Sequence, residues 1–303
     1  ISAIFRGMGN SKLPLIFVAI ACVVNIVGDL LLVGIFHMGA AGAAIATVFA
    51  QGVSVALSLV IIKKRGLPFA VHRADLAFDG RMIGRIFKIG LPIALQSALI
   101  NVSFLVLTGI FNGMGVIVSA GIGVSEKICN FIMLVPMSFM SALATFVAQN
   151  IGANKPERAV RTLLYSIVLS VLFGLGMFYL AFFHGDLLAS VFSKDAAVIA
   201  ATADYLRAYA IDCVMVAFLF SFMGYFNGCG KTMFVMVQGV TAAFLIRIPV
   251  SFIVSRFADV SLFAIGVATP LASLFSIFLC VIYFFVLKRK SQKSFDKTYQ
   301  NDI

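Results

Sequence analysis

"GYFNGCGKTMF", residues Gly224–Phe234, decides how this sequence is read. Glycines followed by Gly-Lys-Thr look like a phosphate-binding loop. Such a loop needs G-x-x-x-x-G-K-[ST], so that successive backbone N–H groups wrap the phosphates. Counting back five positions from Gly230 reaches Tyr225, and Gly224 is one residue too early. The flanks are long apolar runs, not the strand and helix that hold a phosphate loop. The stretch also has a second copy. "FRGMGNSKLP" begins at Phe5 and "FNGCGKTMFV" at Phe226. Phe5, Gly7 and Gly9 match Phe226, Gly228 and Gly230 at one offset of 221 positions. The motif is a repeat, and the question is what it repeats.

Composition supplies the setting. The 303 residues are 62% hydrophobic and only 12% charged. Soluble domains are about 45–50% apolar and about 25% charged. A soluble fold of this length cannot hide so much apolar surface, so lipid is part of the solvent. The five cysteines are scattered with no C-x-x-C, and His37, His72 and His184 fall in loops. No disulfide framework or metal site is expected, and no cofactor beyond a coupling ion.

A spanning helix needs about 20 apolar residues. Eight candidates are read at 13–36, 40–62, 90–112, 117–147, 160–183, 198–225, 233–255 and 262–287. Pro136 is expected to kink the fourth. The net charge of +11 then sorts by side. Eighteen of the 23 Lys and Arg residues fall at alternate loops and at the two ends, and only Lys194 and Arg256 occupy the opposite loops. Lys127, Arg207 and Arg247 lie within spans. This is the positive-inside asymmetry. It predicts that both ends of the chain are cytoplasmic and that the basic charge orients the protein in the membrane, with no nucleic-acid partner. The basic stretch 63–88 reads as a cytoplasmic linker, partly an amphipathic helix at the membrane surface.

Both copies of the motif precede a span running from inside to outside. "GAAGAAIATVFA" (39–50) also resembles "AIGVATPLASLF" (264–275). Two halves of the same orientation make a parallel repeat, one of the plans used by transporters. The repeated Gly-x-Gly is expected to be a tight cytoplasmic turn, where glycine accepts backbone angles that other residues resist. With equal halves, about four spans precede Ile1 and the intact protein has twelve. The predicted fold is an all-α polytopic membrane protein, with eight transmembrane helices that belong to parallel six-helix repeats. Residues 1–62 end the N-lobe, 63–88 link, 89–287 form the six-span C-lobe, and 288–303 are a cytoplasmic tail.

"FRGMGNSKLP", "GAAGAAIATV", "LPIALQSALI" (91–100), "FVAQNIGANKPERAVR" (146–161) and "YFNGCGKT" together resemble the multidrug and toxic compound extrusion family. The resemblance covers Phe5 to about Arg289, and "QNIGANKPERA" is its most specific piece. It implies twelve helices in two lobes around a central cavity, with this chain covering spans five to twelve. It further implies export of cationic or amphipathic small molecules in exchange for Na⁺ or H⁺, in a cell membrane, the inner membrane of a prokaryote. A monomer is expected, and the protein is not expected to be an enzyme. The family often places an acidic residue in its tenth span, where this sequence has Asp212.

An ionisable residue inside a span is costly and usually faces a bundle interior or an aqueous cavity. Asp212, Glu126 and Asp29 are the candidates for cation or proton coupling. Burial favours the neutral acid and a bound cation favours the carboxylate, so one carboxyl holds either guest but not both. Each has a structural alternative. Asp212 could pair permanently with Arg247, Glu126 could bridge helices as an ion pair, and Asp29, one turn from Asn25, could join two helices by hydrogen bonds. Asp204 and Arg207 read as an ordinary surface pair. Gln96, Ser103, Asn112 and Arg247 are candidates to line a substrate cavity, with Met133 and Met137 from a helical methionine stripe that could equally be packing. A lipid-linked diphosphate flippase of the same superfamily is the alternative function; its cavity should be strongly cationic, whereas the charges here are mixed.

Overall fold

Apolar runs of twenty or more residues leave the backbone one solution in lipid. Every N–H and C=O must be satisfied within the segment, and a helix does this. The computed structural model describes residues 1–65, 79–257 and 261–301. Among them are eight helical segments long and apolar enough to cross a membrane. The chain divides into two compact units, Ile1–Gly80 and Arg81–Ile303.

In the first unit, α1 (Ser2–Gly7) turns into α2 (Lys12–Asp29), which continues through a π-helical turn, Leu30–Ile35, and returns as α3 (Gly39–Arg65). Gly28 lets α2 approach α3 closely: a Cβ there would stand 2.9 Å from Ala46 Cβ. Asn25 Nδ2 donates across the same contact to Thr47 Oγ1 at 3.4 Å.

The second unit holds α4 (Gly80–Asn112), α5 (Val116–Gly152), α6 (Pro156–Phe183), the short α7 (Gly185–Ser190) and α8 (Ala196–Gly228). One further span joins α9 (Thr232–Thr241), a π-helical turn (Ala242–Arg247) and α10 (Ile248–Val254). Another joins α11 (Leu262–Gly266) and α12 (Ala268–Asn301). Helix α4 begins ten residues before the expected span. Arg81, Arg85 and Lys88 are polar enough to end a hydropathy window, but nothing in their side chains stops a helix. Residues 66–78, the centre of the stretch read as a linker, lie outside the described residues.

Helix α8 is the axis of this unit. It packs against α5, α6, α7, α9, α11 and α12, and 61% of its most apolar stretch is buried. Lipid tails are as apolar as leucine, so helices in a membrane associate through close packing and hydrogen bonds. Close approach is visible at Gly224 and Gly228. Added Cβ atoms would meet Met140 O and Ala144 O of α5, each at 2.6 Å. Polar crosslinks add to it: Thr202 Oγ1 donates to Gly121 O at 3.1 Å, and Ser166 and Ser221 share a hydrogen bond at 3.2 Å. Aromatic rings fill the end of α8 that carries the repeated motif, with Phe226 edge-on to Phe234 and Phe234 stacked on Tyr283 at 3.9 Å.

The repeated motif is a turn with one geometry. Gly9 and Gly230 both have positive φ, +83° and +71°. Asn10 N–H donates to Phe5 O and Gly9 N–H to Arg6 O; Lys231 N–H donates to Phe226 O and Gly230 N–H to Asn227 O. These 6→1 and 5→2 bonds make a Schellman motif, which satisfies carbonyls at a helix end. A third copy ends α5. Asn154 takes φ +55°, and Lys155 N–H and Asn154 N–H donate to Asn150 O and Ile151 O. That copy lies in "QNIGANKPERA", where asparagine replaces glycine as the left-handed residue.

Candidate functional site

Asp212 sits near the middle of α8, sixteen residues from either end. It is 1% exposed, and its Oδ1 has no hydrogen-bond partner. The Ser273 hydroxyl of α12 stands against the same carboxyl, and Arg247 is within electrostatic reach. Tyr205, Tyr209 and Cys213 on α8 and Cys129 on α5 are also within electrostatic reach of it.

Arg247 is placed by its backbone. It closes the π-helical turn, and Pro249 follows two residues later. Proline has no N–H to continue the α-helical ladder, and a wider turn absorbs the break. The wider turn also rotates the next side chains about the axis. Arg247 then reaches α4. Its Nη2 donates to Ser103 Oγ, and its guanidinium lies over the Phe104 ring at 4.3 Å. The expected alternative, with Arg247 spent on Asp212, is not what the side chain does: its direct partners are a hydroxyl and a ring.

Helix α4 presents one inward face: Gln96, Ser103, Leu107 and Phe111. Leu107 and Phe111 pack with Ile122, Leu262 and Ile265. The other two are polar and continue the seam inward. Gln96 Nε2 is buried without a partner. It fits where Gly239 has no side chain, 2.6 Å from where a Cβ would stand. The buried Gln238 beside it leaves Oε1 unpartnered. Unpaired buried polar atoms are rare and costly. Here Asp212 Oδ1, Arg247 Nε, Gln96 Nε2 and Gln238 Oε1 are all in that state, in the unit of six spans.

The other candidates lie apart. Glu126 is exposed on α5; Cys129, one turn on, is within electrostatic reach of both Glu126 and Asp212. Asn112 is at the end of α4, where its Oδ1 accepts from Ser119 Oγ at 2.6 Å beside an open pocket of about 380 Å³. Met133 packs against the Ile128, Ile132 and Leu206 cluster, while Met137 is exposed. Asp29 belongs to the first unit. It immediately precedes the π-helical turn there, and its Oδ1 is unpartnered; Asn25 makes the interhelical bond instead.

Asp204 does not form the surface pair expected with Arg207. Its Oδ2 accepts from Phe263 N–H at 2.9 Å, and with Ser261 it caps the start of α11. Sequence reasoning also missed Ser273, Gln238 and Phe104. Gln238 had a signal, an amide inside an apolar run. A serine or phenylalanine in such a run has none. Among the described residues no group of three His, Cys, Asp or Glu side chains is placed to hold a metal ion.

The family model for MatE matches residues 92–253. The chain is 26% identical over 296 residues to "Probable multidrug resistance protein YpnP" of Bacillus subtilis, covering 97% of this chain and 65% of that protein. It is 30% identical over 204 residues to the "FAD transporter" of Shewanella oneidensis, covering 64% of this chain and 44% of that one. Among solved structures, "Crystal structure of MATE in the straight conformation" superposes with a TM-score of 0.89 at 16% identity, over 96% of this chain and 65% of the other. The chain thus spans less than two thirds of the length of these relatives.

Proposed function

The chain belongs to the MatE family, and from that premise we propose that it works as part of a secondary active multidrug antiporter. The intact protein exports cationic or amphipathic small molecules in exchange for Na⁺ or H⁺. Its twelve helices form two lobes that expose a central cavity to each side in turn. In this chain residues 1–62 end the first lobe, 63–88 link, 89–287 make the second and 288–303 are the tail. Both ends lie in the cytoplasm of a cell whose plasma membrane holds the protein as a monomer. No chemical step is needed, because the ion gradient supplies the work.

One observation carries the reading: Asp212 is buried mid-span with Oδ1 unpartnered. A carboxyl whose hydrogen bonds were complete would be a structural fixture. An incomplete one keeps the capacity to take a proton or a hard cation, or the cationic part of a substrate. Occupancy by one excludes the other, and that exclusion is antiport. Glu126 and Asp29 are further candidates for coupling. Gln96, Ser103, Arg247, Asn112, Met133 and Met137 are candidates for contact with substrate. The single Arg247 beside Asp212 gives less positive charge than a diphosphate-lipid carrier needs.

The test is transport by the full-length protein in sealed vesicles. Efflux of a cationic dye should follow an imposed H⁺ or Na⁺ gradient and need no ATP, and Asp212→Asn should abolish the response to the gradient. Efflux that requires ATP hydrolysis and ignores both gradients overturns the reading.

A further inference from the structure

We infer that Arg247, with Ser103 and Phe104, is a subsite for the oxyanion of a zwitterionic amphiphile, a compound carrying a carboxylate or phosphate besides its cationic group. This rests on the export reading above and narrows its substrate class.

A guanidinium taken out of water needs an anion close by, since an uncompensated buried charge is strongly unfavourable. Arg247 is largely withdrawn from solvent, and its Nε is fully buried with no partner. The groups it touches, the Ser103 hydroxyl and the Phe104 ring, are both neutral. These contacts orient it. Ser103 Oγ spends its own proton on Ile100 O at 2.7 Å, so it accepts from Arg247 Nη2. The stack on Phe104 fixes the plane of the guanidinium. A planar fork held this way leaves donors free for an oxyanion, the bidentate geometry that arginine supplies and lysine does not.

Asp212 is near enough to feel the Arg247 charge, yet its Oδ1 stays unpaired. The two groups are therefore opposite poles, each with capacity left. A purely cationic drug would use one pole and face repulsion from the other. A zwitterion uses both: its cation competes with the coupling ion at Asp212, and its oxyanion rests on Arg247. Phe104 is 43% exposed and offers a face to the apolar body of the molecule. A lipid headgroup is a poor occupant. The seven residues Ile248–Val254 separate Arg247 from the end of its span, about 10 Å at the α-helical rise.

The experiment measures binding to the purified full-length protein by fluorescence anisotropy, with no gradient present. The probes are a rhodamine with a free benzoate and the methyl ester of the same dye. They share size, rings and cation and differ by one negative charge. The free acid should bind about tenfold tighter or more, the worth of one charge-assisted hydrogen bond. Arg247→Gln should erase the preference and Arg247→Lys should keep a reduced part of it, with thermal unfolding confirming that both variants fold. Equal binding of acid and ester by the unaltered protein overturns the subsite without any variant, as does a preference that survives in Arg247→Gln. Dye efflux in vesicles separates the two readings. Acid-selective binding with no gradient-driven efflux of either dye removes the export function and leaves the subsite; coupled efflux with no acid selectivity does the reverse.

Discussion

Gly9 and Gly230 hold the same left-handed conformation, at φ +83° and +71°, in turns closed by the same 6→1 and 5→2 hydrogen bonds. The likeness of the two motifs is therefore a likeness of backbone and not of a ligand site. Phe5 and Phe226 hold equivalent places in the two turns: the carbonyl of each accepts the closing bond, and the ring of each is buried. Nothing stands within 4 Å of a Cβ built at Gly230. Gly230→Ala should cost about 1–2 kcal/mol, the penalty of a left-handed L-residue, with no steric term. Gly230→Asn should cost less, since Asn154 already does this work in the third turn. Thermal unfolding in detergent checks both; an alanine variant as stable as the parent removes the argument.

Gly224 and Gly228 act by a different cause. Both are in regular helix, and their missing side chains let α8 touch the backbone of α5. Gly228→Ala puts a methyl 2.6 Å from Ala144 O and from Val147 Cβ, neither of which is a flexible tip. Overpacking of this kind costs about 1–3 kcal/mol. The loss should exceed that of Gly176→Ala, a glycine of α6 with nothing within 4 Å. Equal unfolding temperatures for the two variants would show that the α5–α8 contact adjusts freely.

Asp204 gives a local prediction. Its carboxylate accepts from the Phe263 N–H at the first turn of α11, one of the donors that every helix start leaves open. Asp204→Ala should destabilise by about 1 kcal/mol, the usual worth of a cap. Asp204→Asn keeps an acceptor and should recover most of it. If Arg207→Ala costs as much as Asp204→Ala, the surface pair, and not the cap, is the interaction that matters.

Legibility in the sequence follows the physics of each feature. The eight spans were readable because lipid imposes length and apolarity together, and each observed span overlaps its expectation. The start of α4 was not, because Arg81, Arg85 and Lys88 end the apolar run but do not end the helix. The turn at Gly9 and Gly230 was readable because positive φ selects glycine. The π-helical turn that aims Arg247 was not: Pro249 hinted at a disturbance, but no residue encodes which way the chain absorbs it. Asp212 and Arg247 stood out as charges in apolar runs. Their actual neighbours, Ser273 and Phe104, belong to residue types that fill any membrane helix.

Cys229 tests the turn between α8 and α9 by chemistry. It lies between α8 and α9, outside the spans. Burial pushes its thiol up from the ordinary value, against smaller opposing effects of the Tyr225 hydroxyl and the Lys231 charge. A raised pKa means less thiolate at a given pH, and the thiolate is the nucleophile. Alkylation by a maleimide should therefore lag a free thiol at neutral pH and rise only in the alkaline range, followed at Cys229 by peptide mass spectrometry. Lys231→Gln removes a cation that favours the thiolate, so it should move the profile to still higher pH. A profile that coincides with the free thiol, or a shift to lower pH on removing Lys231, would mean that this turn opens to water and that the packing of Tyr225 and Phe226 beneath it does not hold.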